Sequence, residues 1–220
     1  MIEAVVFDLD GLLLDTEELW DEARREIADE RGGQWRPDAQ RAMMGMSSPE
    51  WSRYMHDVIG VPDQPDRIAD EVVERMTELY RRELPLVDGA IDAVRRLGRR
   101  WPLGIASSSN RPLIDLFLEL TGTRELFEAT VSSEEVAGGK PAPDVYLEAA
   151  SRLGVPPDRC AAIEDSENGI RSAAAAGMHV VAIPNSVFPP SREALSLAEA
   201  VLDSLAELTP ESVAGANAGR

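Results

Sequence analysis

From residue 88 onward, short apolar segments alternate with amphipathic helical segments, and this alternation limits the possible folds more than any other feature. The apolar segments end near Ser107, residue 130, Glu164 and Ile183. An earlier apolar run, Glu3–Leu9, is rich in β-branched residues, which predicts a fully buried first strand. Because consecutive parallel strands need a crossover helix between them, the pattern predicts an α/β fold with a parallel sheet.

A charge-dense block with helical periodicity separates the first strand from the rest of the sheet. Breaks occur at Gly32–Gly33, at residues 45–49 and at residues 60–62, and the block contains no convincing strand. We therefore expect residues 1–15 and 86–213 to form the sheet domain. Residues 16–85 are expected to form a small helical domain inserted after strand one, and residues 214–220 a flexible tail.

The charge balance restricts the partners of the chain. Lys and Arg total 22 against 40 Asp and Glu, a formal net charge of −18, so the protein repels nucleic acid and anionic membranes. The N-terminus lacks the positive charge of a signal peptide, and no run approaches the ~18 apolar residues of a membrane span. The single cysteine, Cys160, lies in an apolar run that predicts a buried thiol in a reducing compartment. We expect a soluble, cytoplasmic protein that is a monomer or a weak dimer.

Polar side chains stand where the predicted strands end. Asp8 and Asp10 close strand one, Ser107 closes the next core strand, and Glu164 and Asp165 follow a later strand. In open parallel sheets the carboxyl ends of the strands border the ligand crevice. Acid pairs at the end of an apolar strand repel each other unless a cation lies between them. The set predicts a site for a hard divalent cation and a phosphoryl group.

Lys140 is the only lysine in the chain, within a Gly-Gly-Lys-Pro-Ala-Pro-Asp segment. The prolines favour a turn followed by a helix start, which would hold the ammonium in one direction. An isolated lysine is usually a surface residue. In a chain whose other basic residues are all arginine, however, a single lysine indicates that this position requires the compact ammonium group. Ser107 opens a Ser-Ser-Ser-Asn junction that is compatible both with ordinary helix capping and with phosphate binding by free backbone N–H groups.

Four of these segments, in order, resemble the motifs of the haloacid dehalogenase superfamily. They are Asp8-Leu9-Asp10-Gly11, Ser107, Lys140 with its prolines, and Glu164-Asp165-Ser166 followed by Glu-Asn-Gly. The helical block resembles the C1-type cap of the branch that includes β-phosphoglucomutase and sugar-phosphate phosphatases. The resemblance implies a Rossmann-like parallel sheet core domain with a small helical cap domain inserted after strand one.

The resemblance also implies a mechanism. Asp8 would attack phosphorus to give an aspartyl-phosphate, and Asp10 would serve as general acid and then general base. Mg²⁺ would be the cofactor, held by Asp8, Asp10 through its backbone carbonyl, Glu164 and Asp165. The phosphoryl oxygens would be bound by Ser107, Ser108, Asn110 and Lys140.

Several related chemistries fit the sequence less well. Haloacid dehalogenases lack the second Asp of the first motif, which is present here as Asp10, and residues 16–88 contain no lysine for a phosphonatase Schiff base. Ser48 and Pro49 stand where the cap arginine of a mutase is expected. Phosphomonoester hydrolysis is therefore favoured, with a β-phosphoglucomutase-type phosphotransferase as the alternative. A phospho-receiver domain would need its phosphoacceptor Asp at the end of a middle strand, and the strand ending at Ser107 has none.

We expect the helical block to select the substrate, because the site at the strand ends is predicted to bind only the phosphoryl group. The candidates there are Glu17, Glu18, Trp20, Met44 and Met46. Trp and Met at helical spacing are often packing residues, and paired Glu favour a helix N-terminus, so a structural role remains open for each. The expected partner is a small phosphorylated metabolite, a sugar or polyol phosphate.

Overall fold

One six-stranded sheet organises the computed structural model, which describes residues 1–44 and 46–215. The strand order is β3-β2-β1-β4-β5-β6 and every pairing is parallel. The strands are Ala4–Phe7 (β1), Leu103–Ser107 (β2), Phe127–Ser132 (β3), Cys160–Glu164 (β4), His179–Ala182 (β5) and Ala200–Val201 (β6). The predicted parallel α/β fold is confirmed.

The connecting segments are mostly helical. The α-helices are Glu17–Glu30 (α1), Ala39–Met43 (α2), Ser48–Tyr54 (α3), Pro65–Arg82 (α4), Ala90–Gly98 (α5), Arg111–Thr121 (α6), Asp144–Leu153 (α7), Glu167–Ala175 (α8), Arg192–Leu195 (α9) and Pro210–Gly215 (α10). A π-helical turn continues α3 at Met55–Ile59, and 3₁₀ turns occur at Arg124–Leu126, Ser133–Glu135 and Pro157–Arg159.

Strand β1 lies at the centre of the sheet, and all four of its residues are buried. Because side chains alternate along a strand, Val5 and Phe7 join the apolar cluster on one face and Ala4 and Val6 the cluster on the other. Burial on both faces explains why the strand is a continuous apolar run. The order of β2, β1 and β4 places the residues that follow these three strands side by side at one edge.

Helices α1–α4 lie between β1 and β2 in the chain. Their buried residues Ile27, Trp51 and Met76 belong to the same apolar cluster as one face of the sheet. The chain leaves and re-enters the sheet region through two adjacent segments joined by a bridge between Leu14 and Leu86. We propose that these segments are the boundaries of the inserted helical domain, as the sequence predicts near residues 16 and 85.

The C-terminal part differs from the sequence prediction. Helix α10 extends to Gly215, so residues 214 and 215 are helical and not part of a tail, while residues 216–220 lie outside the described residues. Cys160 is buried in β4, as predicted, and its burial raises the pKa of the thiol to about 12. Within the described ranges, no helix combines the length and the apolar character needed to cross a membrane.

A glycine near the start of α8 makes room for the buried Glu164 side chain. A Cβ atom at Gly169 would lie 1.8 Å from Glu164 Oε1. We expect Gly169→Ala to lower the free energy of unfolding by about 1–3 kcal/mol, because the overpacked site must rearrange. Gly98→Ala in α5 is the matched control. Its Cβ would meet only the flexible Leu103 side chain at 3.3 Å, so helix propensity makes it neutral or stabilising by up to about 1 kcal/mol.

Urea denaturation of the two variants and the wild type measures this difference. Equal stability of Gly169→Ala and the wild type would show that Glu164 is not held against α8.

Candidate active site

An ion-paired group at the ends of β1 and β4 forms the centre of the site. Asp8 directly follows β1, and Glu164 is the last residue of β4. Lys140, from the loop before α7, donates to Asp8 Oδ1 at 2.7 Å and to Glu164 Oε1 at 2.6 Å. All three side chains are buried. The strand ends that the sequence singled out therefore meet, and the only lysine of the chain joins two of their carboxylates.

Protein groups hold both oxygens of Glu164. Oε1 accepts from Lys140 and, at 2.7 Å, from the Tyr146 hydroxyl. Oε2 accepts from the backbone N–H of Asp165 and from both the backbone N–H and the hydroxyl of Ser166. The Ser166 hydroxyl in turn accepts from the Gly169 N–H and caps α8. Glu164 is thus held in one orientation by the surrounding structure.

Asp165 is in the opposite situation. Its side chain is fully buried, yet neither carboxylate oxygen has a hydrogen-bond partner among the described residues. Burial, together with nearby Glu164 and Asp8, raises the pKa of Asp165 well above its usual range. Burial and the charge of Glu164 likewise raise the pKa of Asp8 to about 8. An unpartnered buried carboxylate is costly, so Asp165 favours the binding of a positively charged ligand.

The donor set around Asp165 fits a divalent cation. Asp8, Glu164 and Asp165 each offer a carboxylate oxygen, and these oxygens lie within 4.8 Å of one another. Carboxylate oxygens are the ligands that Mg²⁺ and Ca²⁺ bind in proteins. Gly11, at φ +84°, leaves the space beside Asp165 open, because a Cβ atom there would lie 2.2 Å from Asp165 Oδ2. The side chain of Asp10 is not part of this cluster of carboxylates.

One oxygen of Asp10 faces donors from the inserted helical block and its entry segment. Asp10 Oδ1 accepts from the Thr16 hydroxyl at 2.7 Å, from Trp20 Nε1 at 3.1 Å and from the Tyr80 hydroxyl at 3.4 Å. Tyr80 lies 70 residues away in sequence, so the helical block must pack against the sheet for the contact to form. The orientation of Asp10 depends on that packing.

The serine-rich junction after β2 holds the other oxygen. Asp10 Oδ2 accepts from Ser109 Oγ at 2.6 Å and from Ser107 Oγ at 3.3 Å. Ser107 Oγ also accepts from the Ser109 N–H, and Ser108 lines a cavity with Asp8 and Lys140. Ser109 is a site residue that the sequence did not single out, because nothing distinguishes it within three consecutive serines.

The sequence predicts that Asn110 binds phosphate, but its side-chain amide is hydrogen-bonded to other protein groups. Its Oδ1 accepts from the Ser48 hydroxyl at 2.8 Å, and its Nδ2 donates to Glu134 Oε1 at 2.6 Å. Ser48 begins α3 in the helical block. In this arrangement Asn110 connects the block to the sheet region, and both polar atoms of its amide are occupied.

Of the five residues predicted to select the substrate, four line one cavity and the fifth does not. Four of them, Glu17, Trp20, Met44 and Met46, line a cavity that adjoins Asp10. The rest of the lining consists of Arg24, Met43 of α2, Trp51 of α3, Ser108 and Ser109. Glu18 is exposed and lies outside this lining. Burial, followed by the charge of Asp10, raises the pKa of Glu17 to about 7. Arg24 was not predicted, because an arginine on a charge-rich helix resembles any surface residue.

Comparison with known proteins assigns the family. A family model for haloacid dehalogenase-like hydrolases matches residues 2–177. The chain belongs to this family. It is 37% identical over 215 residues to a probable pseudouridine-5'-phosphatase of Drosophila melanogaster, covering 94% of this chain and 91% of that protein. It is 32% identical over 220 residues to hexitol phosphatase B of Escherichia coli K12, covering 97% of each.

Solved structures agree with this assignment. The phosphate complex of CbbY from Rhodobacter sphaeroides superimposes with a TM-score of 0.86 at 31% identity, covering 97% of this chain and 100% of that one. The family and its phosphatase members together make this haloacid dehalogenase-like hydrolase a phosphatase.

The contacts of Lys140 predict that arginine cannot replace it. One ammonium nitrogen lies 2.7 Å from Asp8 Oδ1 and 2.6 Å from Glu164 Oε1, and the wider, planar guanidinium does not place its donors at that single point. We expect Lys140→Arg to lower kcat/KM for p-nitrophenyl phosphate by about tenfold or more. The control is Arg152→Lys, at a partly exposed arginine paired with Glu148, which should change kcat/KM less than about twofold. Native efficiency in Lys140→Arg would refute a specific need for the ammonium.

Proposed function

We propose that this phosphatase hydrolyses phosphomonoesters of sugars or polyols with Mg²⁺ and through an aspartyl-phosphate intermediate. The observation that carries the proposal is the unpartnered, buried Asp165 carboxylate beside the Lys140-paired Asp8. Such a site disfavours its own negative charge and is suited to a cation and a transferring phosphoryl group.

Three carboxylates have distinct tasks in the proposed cation site. Asp8 and Asp165 have free ligand capacity, whereas Glu164 is already held by Lys140, Tyr146 and the start of α8. Asp8 and Asp165 would hold Mg²⁺ directly, and Glu164 would support the site, with the Asp10 backbone carbonyl as the remaining ligand. Bound Mg²⁺ supplies positive charge that lets an anionic carboxylate approach an anionic phosphoryl group.

Asp8 is the proposed nucleophile. Lys140 holds Oδ1, while Oδ2 accepts no hydrogen bond among the described residues and borders a cavity shared with Ser108 and Lys140. Attack forms an Oδ2–P bond as the P–O bond to the leaving alcohol breaks. Lys140, Ser107 and Ser108 hold the phosphoryl oxygens, where positioning and electrostatics provide most of the catalysis.

Asp10 is the proposed proton carrier. Donors on both of its oxygens fix its direction relative to Asp8. It protonates the departing alkoxide and then, as a carboxylate, takes a proton from the water that attacks the aspartyl-phosphate. Since Thr16, Trp20 and Tyr80 donate to Asp10, the helical block contributes to the acid–base step and also covers the site.

The relatives and the block both favour small polar substrates. Two relatives are named as a probable pseudouridine-5'-phosphatase and as hexitol phosphatase B. The cavity next to Asp10 is lined by both polar and apolar side chains. At the position of the expected mutase arginine, the Ser48 hydroxyl is bonded to Asn110 and offers no positive charge to a second phosphate. Hydrolysis is therefore proposed and not phosphotransfer between sugar positions.

Two measurements test this function. Asp8→Asn removes the nucleophile, so kcat for p-nitrophenyl phosphate should fall by about a thousandfold or more. EDTA should abolish wild-type activity, and added Mg²⁺ should restore it. Asp92→Asn, on an exposed side chain of α5, is the control and should retain wild-type activity. Substantial turnover by Asp8→Asn, or by the wild type in EDTA, would contradict the proposal.

A further inference from the structure

Arg24 is a buried arginine inside the helical block. Only 5% of the residue is exposed, although it stands on α1 between the exposed residues Glu22 and Arg25. Its guanidinium carbon lies against two neighbouring indole rings, 4.6 Å from the centre of Trp20 and 4.8 Å from that of Trp51, and the two ring centres are 6.1 Å apart. Cation–π contact with both rings restricts where the guanidinium can lie.

The guanidinium has far fewer partners than a buried cation needs. Gln40 Oε1 accepts from Nη1 at 3.0 Å, and no other hydrogen bond to Arg24 occurs in residues 1–44 and 46–215. Nε is buried and unpartnered, and no carboxylate of these residues lies within 4.0 Å of the group. Burial lowers the pKa of Arg24 to about 10, so the group is still charged at neutral pH. Buried charges are normally paired, and this one has unused donor capacity.

The position of Arg24 shows what could use that capacity. It lines the cavity that also contains Asp10, Glu17 and Ser109. Glu17 in addition borders the second cavity, with Asp8, Lys140 and Ser108. The two cavities are therefore neighbours that share Asp10, Glu17 and Ser108 in their linings. Under the proposed function, the leaving alcohol must lie on the Asp10 side of the phosphoryl group, which is the Arg24 side.

Gln40 sets the chemistry of this subsite by connecting two charged side chains. Its amide accepts from Arg24 and donates to Glu17 Oε2 at 2.9 Å. Among the described residues, Glu17 Oε1 accepts no hydrogen bond and Arg24 Nε donates none, so one can still accept and the other can still donate. A hydroxyl group can donate to the one and accept from the other at the same time. A second anion would instead face the carboxylates of Asp10 and Glu17, which repel it.

We propose that Arg24, together with Glu17, is a specificity-determining residue that binds a hydroxyl group of the leaving alcohol. This inference rests on the proposed phosphatase function and deepens it. It assigns the preference for polyol and sugar phosphates to a guanidinium that packs against two tryptophans. It also distinguishes hydroxylated leaving groups both from plain alkyl groups and from groups with a second phosphate.

A matched pair of substrates tests the inference. Sorbitol 6-phosphate and n-hexyl phosphate have the same carbon chain and differ in the hydroxyl groups. The wild type should favour sorbitol 6-phosphate in kcat/KM by about tenfold or more, because a site built to bind a hydroxyl rejects the analogue that lacks it. Arg24→Met keeps an unbranched chain against the two indoles and should reduce that preference to about threefold or less, mainly through a higher KM for sorbitol 6-phosphate.

Controls separate this role from a structural one. Arg25→Met, on the next and largely exposed residue of α1, should leave the preference unchanged. If Arg24→Met lowers kcat/KM for both substrates equally, or lowers neither, Arg24 does not recognise the hydroxyl group and the inference is wrong. If Arg24→Met does not fold, the wild type alone decides, since equal kcat/KM for the two substrates overturns the inference.

Two other results would overturn the inference: phosphate binding at Arg24, and failure of the proposed phosphatase function. Fructose 1,6-bisphosphate and fructose 1-phosphate test for an anion site: a bisphosphate preference that disappears in Arg24→Met would overturn the hydroxyl assignment in favour of phosphate binding. If the wild type with Mg²⁺ hydrolyses none of these esters, the proposed function itself fails, and this inference fails with it.

Discussion

The buried carboxylates at the ends of β1 and β4 are the constraint on which the rest of the structure depends. Asp8, Glu164 and Asp165 lie together out of water, and Lys140 is the one ammonium in contact with two of them. One positive charge does not balance three carboxylates, and the imbalance is concentrated at Asp165. Attraction for an anionic substrate must therefore be local in a chain of net charge −18, and we propose that Lys140 and a bound cation supply it.

The helical block completes this centre from the other side. It supplies donors to Asp10 through Trp20 and Tyr80, and it is joined to the sheet region by the bond between Ser48 and Asn110. The same block presents Arg24 to the space beyond Asp10. Under the proposed function, phosphoryl chemistry and substrate selection are divided between the two parts of the chain, and Asp10 contacts both. Packing of the block against the sheet region therefore orients Asp10, the proposed proton carrier.

Sequence alone predicts the features that depend on local pattern. Asp8 and Glu164 could be placed because apolar runs mark strands and parallel strands end at a common edge, and Lys140 because no other lysine occurs. The contacts between Asp10 and Tyr80 and between Ser48 and Asn110 join residues 70 and 62 positions apart, so no local signal predicts them. Arg24 is polar on a polar helix, and only the packing of Trp20 and Trp51 around it distinguishes it from a solvated side chain.

The central claim is that Asp165 is a cation ligand whose carboxylate destabilises the protein when no cation is bound. Calorimetric Mg²⁺ titration and thermal unfolding of the wild type and Asp165→Asn test it most directly. The account predicts one Mg²⁺ per wild-type chain, little or no binding by Asp165→Asn, and a melting temperature in EDTA that is equal or higher in the variant. Undiminished Mg²⁺ binding by Asp165→Asn, with a lower melting temperature in EDTA than the wild type, would contradict it.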